Sequence, residues 1–100
     1  MRIYRTDEGG EPFLQWLRSM RDARGRGVVR SRLNRLRSGI FLNCKSIGAG
    51  VHELKINFGP GYRVYFGEDG NSIILLAGGD KDSQDRDIAR AREHWRDYNA

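Results

Sequence analysis

Lys55, Arg63 and Lys81 fall within one stretch of the chain, Val51 to Gln84, interleaved with Glu53 and Tyr65. These residue types can hold a phosphate and move protons beside it. A guanidinium stays charged at any working pH and offers a planar fork to two phosphate oxygens, so Arg63 is the candidate clamp for charge that develops in a transition state. Lys55 is crowded by that second cation, which disfavours its charged form and suits it to proton transfer. Glu53 is a candidate base, or a neutralising partner for Lys55. Tyr65 offers a flat ring on which an unpaired base can stack.

These side chains meet only if particular elements carry them. Period-2 alternation puts Leu54, Ile56 and Phe58 on one face of a strand and Glu53 and Lys55 on the other. In a second strand Tyr62, Val64 and Phe66 share a face, with Arg63 and Tyr65 opposite. When the apolar faces pack together, Lys55 and Arg63 emerge side by side on the open face of the sheet. A third run, Ile73 to Ala77, ends in Gly78-Gly79-Asp80-Lys81 and delivers Lys81 to the sheet edge. Gly59-Pro60-Gly61 and Asp69-Gly70 supply the turns of this meander. His52 faces the Leu54 side and reads as a packed or rim histidine.

Ahead of the meander, residues 2 to 5 form a short strand, broken by Gly9-Gly10. Pro12 opens a helix with Phe13, Trp16, Leu17 and Met20 on one stripe, ending near Gly25 or Gly27. A second helix runs from about Val28 to Arg37, with Val29, Leu33 and Leu36 inward and Gly39 as its stop. Residues 40 to 50 read as a loop. After Lys81, Asp82 or Ser83 caps a last helix carrying Ile88, Ala91 and Trp95 on its apolar stripe. The expected fold is α+β in the order β-α-α-β-β-β-α, a single domain over residues 1–100 with the helices packed on one face of an antiparallel sheet.

The chain of 100 residues has room for one core. Its net charge of +5 points to an anionic partner. Three of the eighteen cations are lysine, Lys45, Lys55 and Lys81, and the rest are arginine. Eight of those arginines lie between Arg18 and Arg37 against one acid, Asp22, giving the helical hairpin a basic outer face on which Arg30, Arg32 and Arg35 are candidate contacts to an anionic polymer. Cys44 is the sole cysteine, which excludes an internal disulfide and a Cys-rich metal site. No signal-peptide pattern or membrane-length apolar run is present, so the expected compartment is the cytoplasm.

The strings H-E-L-K-I, G-P-G-Y-R-V-Y-F and I-I-L-L-A-G-G-D-K-D-S-Q-D-R-D-I-A-R-A closely resemble the phage-Gp49-like, HigB-like branch of the RelE/ParE toxin superfamily. The resemblance runs from about Ile3 to Trp95. It implies a RelE-like fold and the toxin of a type II toxin–antitoxin pair, an endoribonuclease that enters the ribosome and cuts mRNA with no metal or other cofactor. It implies as partners the ribosome, mRNA and a small helix-turn-helix antitoxin, commonly as a heterotetramer, and no membrane. By position Lys81 resembles the cation that follows the last strand in such toxins, which assigns it to the leaving group or the phosphate. The tyrosine that RelE itself carries in its last helix has no clear counterpart, and His94 and Tyr98 are candidates by proximity alone. The superfamily also contains gyrase poisons without nuclease chemistry. A plain nucleic-acid-binding module using the basic helices is a third reading.

Overall fold

The computed structural model describes residues 1–100. Its elements are β1 (Arg2–Ile3), α1 (Pro12–Ser19), α2 (Ala23–Arg37), β2 (Cys44–Ser46), β3 (Val51–Ile56), β4 (Tyr62–Asp69), β5 (Ser72–Gly79) and α3 (Gln84–Tyr98). The fold is α+β, with one five-stranded sheet in the order β1-β5-β4-β3-β2. No helix is long and apolar enough to cross a membrane.

Alternation in β3 and β4 decides the layers. Leu54, Ile56, Tyr62, Val64 and Phe66 pack with Ile73 and Leu75 beneath Phe13 and Leu17 of α1 and Val29, Leu33 and Leu36 of α2. Each such side chain contributes about 1.5–3 kcal/mol when fully buried. His52 belongs to this side, stacked on Phe66 with ring centroids 5.3 Å apart. The opposite face is covered as well. There Val51, Tyr65, Ile74, Leu76 and Ala77 pack with Tyr4 and with Ala91 of α3, and Ile88, Trp95 and Tyr98 close the margin. A bulge in the β4–β5 ladder opposes Tyr65 to Ala77 and Phe66 to Leu75, leaving Leu76 as the extra residue. That extra residue lets Leu76 and Ala77 both point toward α3.

Four expectations are corrected. The helices lie on both faces of the sheet, because the face carrying Tyr65 is itself too apolar to stay open. The sheet is mixed: β1 runs parallel to β5, through Arg2↔Ile74 and Ile3↔Leu75, and all other pairs are antiparallel. The first helix ends at Ser19, because Asp22 caps α2 by accepting from the Arg24 backbone N–H at 3.0 Å. Gly25 therefore lies inside α2, where a Cβ would stand 3.0 Å from the Tyr62 ring. Finally, residues 40–50 contain β2, an edge strand pairing Cys44, Lys45 and Ser46 with Leu54, Glu53 and His52.

The turn into α3 is held by Asp80. Its carboxylate accepts the backbone N–H groups of Asp82 and Ser83 at 3.0 and 3.1 Å, while the Ser83 hydroxyl donates to the buried Asp87 at 2.5 Å. This fixes where Lys81 and Gln84 leave the sheet. At the other end of α3 the buried Tyr4 hydroxyl donates to Asp97 at 2.6 Å. Burial, aided by that hydrogen bond and the Asp97 charge, pushes the Tyr4 pKa up to about 12.

Candidate functional site

At the end of the sheet where β4 begins, β3 and β4 place Lys55 directly opposite Arg63 and Glu53 opposite Tyr65. Opposed residues of an antiparallel pair share a face, so the four side chains adjoin one another on the α3 side. The edge strand adds Lys45 opposite Glu53. Asn43, Cys44, Lys45, Glu53, Lys55 and Arg63 line a cleft of about 270 Å³ that opens at the β2 edge.

Glu53 is the hub of this cleft and is only 1% exposed. It accepts a hydrogen bond from Gln84 Nε2 at 2.9 Å, and its oxygens stand 3.8 Å from Lys45 Nζ and 3.8 Å from Arg63 Nε. Three donors thus surround one buried carboxylate. Arg63 is 6% exposed and donates through Nη1 to the Gly61 carbonyl at 2.7 Å. Gly61 takes φ +81°, and a Cβ there would meet Arg63 Nη1 at 3.3 Å and Lys81 Cβ at 3.7 Å. Lys81 Cβ and Arg63 Nη1 thus both lie beside Gly61, and Lys55 stands opposite Arg63 across the ladder.

Three expectations for this group are corrected. Lys55 is exposed, but Arg63 and Glu53 are buried under α3 and do not sit on an open face. Tyr65 is wholly buried and cannot stack on an incoming base. Its hydroxyl adjoins the Glu53 carboxylate. Burial foremost, and then the nearby Glu53 charge, push its pKa far up, so the phenol stays protonated. Glu53 partners Lys45 and Arg63 by ion pairs, where the sequence offered Lys55.

The remaining candidates stand apart. Arg30, Arg32 and Arg35 are on α2, which packs on the opposite face of the sheet. Arg30 and Arg35 are exposed, and Arg32 donates to the Leu42 carbonyl at 3.1 Å. They form a separate basic surface. His94 stacks on Tyr4, with ring centroids 4.9 Å apart, about 15 Å along α3 from Gln84. Tyr98 donates to Asp69 at 2.7 Å, at the far end of β4 from Arg63. Neither reaches the cleft.

Sequence reading missed Asn43, Lys45 and Gln84. A three-residue strand is too short to show alternation, so Lys45 looked like a loop cation. Gln84 had a signal in its place three residues after Lys81, at the start of a capped helix. Asn43 takes φ +59° and its carbonyl accepts the Lys55 N–H at 3.0 Å, which sets the mouth of the cleft.

An uncharacterized protein of Haemophilus influenzae is 42% identical to this chain over 81 residues, which span 80% of the chain and 82% of that relative. The chain belongs to the family of that protein. No family model matches the chain. No solved structure matches it.

Proposed function

We propose that this chain is the toxin of a type II toxin–antitoxin pair, of the HigB-like branch of the RelE/ParE superfamily, and that it cuts mRNA on the ribosome. The observation that carries the reading is Arg63, held by Gly61 and Glu53 at one end of the sheet, opposite Lys55 and with Lys81 beside the same Gly61. In the proposed reaction the ribose 2′-oxygen attacks the adjacent phosphorus and the bond from phosphorus to the 5′-oxygen breaks. The amine of Lys55, exposed like Lys81, takes the 2′-OH proton. Arg63 holds the oxygens on which charge develops, and Lys81 stabilises the departing 5′-oxygen, which takes its proton from solvent water. The products are a 2′,3′-cyclic phosphate and a 5′-OH end, and the scheme asks nothing of a metal.

The basic outer surface of α2, with Arg30, Arg32 and Arg35, suits ribosomal RNA or an acidic segment of a helix-turn-helix antitoxin, with which the toxin forms a heterotetramer. The test is mapping of mRNA 5′ ends in cells expressing the chain, beside Arg63→Ala and Lys55→Ala. New 5′-OH ends inside translated codons, absent in both variants, are expected. Growth arrest with intact mRNA and broken DNA would move the reading to a gyrase poison.

A further inference from the structure

We propose that the exposed run Ile40–Leu42 and the open edge of β2 together seat an acidic, extended segment of a partner protein, which adds to the sheet as a further strand and closes the mouth of the cleft. The inference rests on the toxin reading for the presence of an acidic partner. The seat itself is built from groups that reading does not use.

The apolar half of the seat departs from the rest of the surface. Ile40, Phe41 and Leu42 are 46%, 47% and 64% exposed, and the molecule's exposed large hydrophobic side chains are these three, consecutive in the chain. Single exposed apolar residues need no explanation, but a contiguous group marks an interaction surface. The run lies on the α2 side of the sheet, where Arg32 donates to the Leu42 carbonyl at 3.1 Å and Phe41 shares a hollow with Leu36 and Ile73. Arg35, Arg37 and Lys45 are exposed on either side of it in the chain, and the hollow holds one acid, Glu68. A second copy of this chain would bring its own Arg35 and Arg37 against these. The complementary occupant is acidic.

The polar half is the strand edge. β2 is the last strand in the sheet order. The Lys55 N–H donates to the Asn43 carbonyl at 3.0 Å and the Ile47 N–H to the Val51 carbonyl at 2.9 Å, so Asn43, Lys45 and Ile47 are the residues that bond to β3. Antiparallel alternation therefore turns the peptide groups of Cys44 and Ser46 to the open side, where no strand of this chain lies. Such an edge accepts an extended chain through main-chain hydrogen bonds. Alternate side chains of the added strand face opposite ways. Those on one side meet the ammonium of Lys45, which is 67% exposed, and those on the other meet Ile40–Leu42. The segment that fits thus alternates acidic and apolar residues. Its backbone lies about 4.8 Å beyond β2, across the edge at which the cleft of Asn43, Lys45 and Lys55 opens.

The test is an NMR titration of the full chain with a short synthetic peptide that alternates glutamate and valine. Saturable binding is expected, with slowed exchange of the Cys44 and Ser46 amide protons. Leu42→Ser, at an exposed position that leaves the fold intact, should weaken binding about tenfold. Ser46→Pro removes one outward donor and spares the bonds to β3, and should weaken binding about tenfold as well. Ser46→Ala keeps that donor and should stay within about twofold. No saturable binding, protection confined to other strands, or full binding by Leu42→Ser overturns the proposal. Dimerisation of the chain through the same residues also overturns it, by making the occupant a second copy. Binding is read apart from cutting, which is followed in a cell-free translation mixture, where the peptide should stop the appearance of new mRNA ends. Protected Cys44 and Ser46 with mRNA never cut keeps the seat and removes the nuclease reading. Cut mRNA that the bound peptide does not slow overturns the closing of the cleft.

Discussion

On the α1–α2 side of the sheet twelve buried residues, from Phe13 to Leu75, form one hydrophobic cluster. On the α3 side seven buried hydrophobic residues share the interior with Glu53, Arg63 and Asp87. The polar groups there are not spread evenly. They gather where β3 and β4 pass under the first turn of α3, while Val51, Ile74 and Ala91 keep the rest of that side apolar. Burial alone accounts for the first face. Half of the second is built at a cost, because a desolvated carboxylate and guanidinium recover little from each other at 3.8 Å. What the contrast teaches is that one sheet can gather its buried charges on one face and leave the other wholly apolar.

The largest effect should come from the apolar side. Phe66 is fully buried, and Phe66→Ala should cost about 3–5 kcal/mol in urea unfolding. A loss under 1 kcal/mol would break the contrast, since that face would not be the one holding the fold. A smaller and more discriminating effect is expected at the polar end. Arg63→Met should cost about 1–3 kcal/mol by leaving Glu53 short of a donor. Adding Glu53→Leu should return that loss or exceed it, with no return of function. A double variant less stable than Arg63→Met alone would mean that the pair stabilises the fold.

The smallest effect concerns pH. His94 is held below its ordinary value of 6.5, chiefly by burial, with Arg90 acting in the same direction and the Glu93 and Asp97 charges opposing. Its unfolded form therefore takes up a proton first as pH falls. Stability is full above about pH 6.5 and declines as pH drops toward the lower folded value. His94→Gln should flatten that decline in a series of unfolding midpoints. An identical decline in the variant would assign it to the carboxylates.

Much of this site was legible before any coordinates. Alternation in V-H-E-L-K-I and G-Y-R-V-Y-F put Glu53, Lys55, Arg63 and Tyr65 on one face, and the register of β3 with β4 sets Lys55 opposite Arg63. What alternation cannot report is whether a face is covered. The chain places Ile88, Ala91 and Trp95 on a helical stripe, and that stripe fits either side of a sheet equally well. Tyr65 thus read as an exposed platform and is in fact core. The Arg-rich hairpin lies across the sheet from the cationic group, on the apolar face of β3 and β4, as their alternation required.

By itself the sequence determined the periodicities, the turns, the helix that begins after Lys81 and the residue types able to meet a phosphate, because each of these is a local property of neighbouring residues. The tertiary structure alone decided that α3 closes over Glu53 and Arg63, that β1 joins β5 in parallel, and that Lys45 on a three-residue edge strand faces Glu53. Those outcomes depend on which apolar surfaces find each other across long separations in the chain, and no window of adjacent residues carries that information.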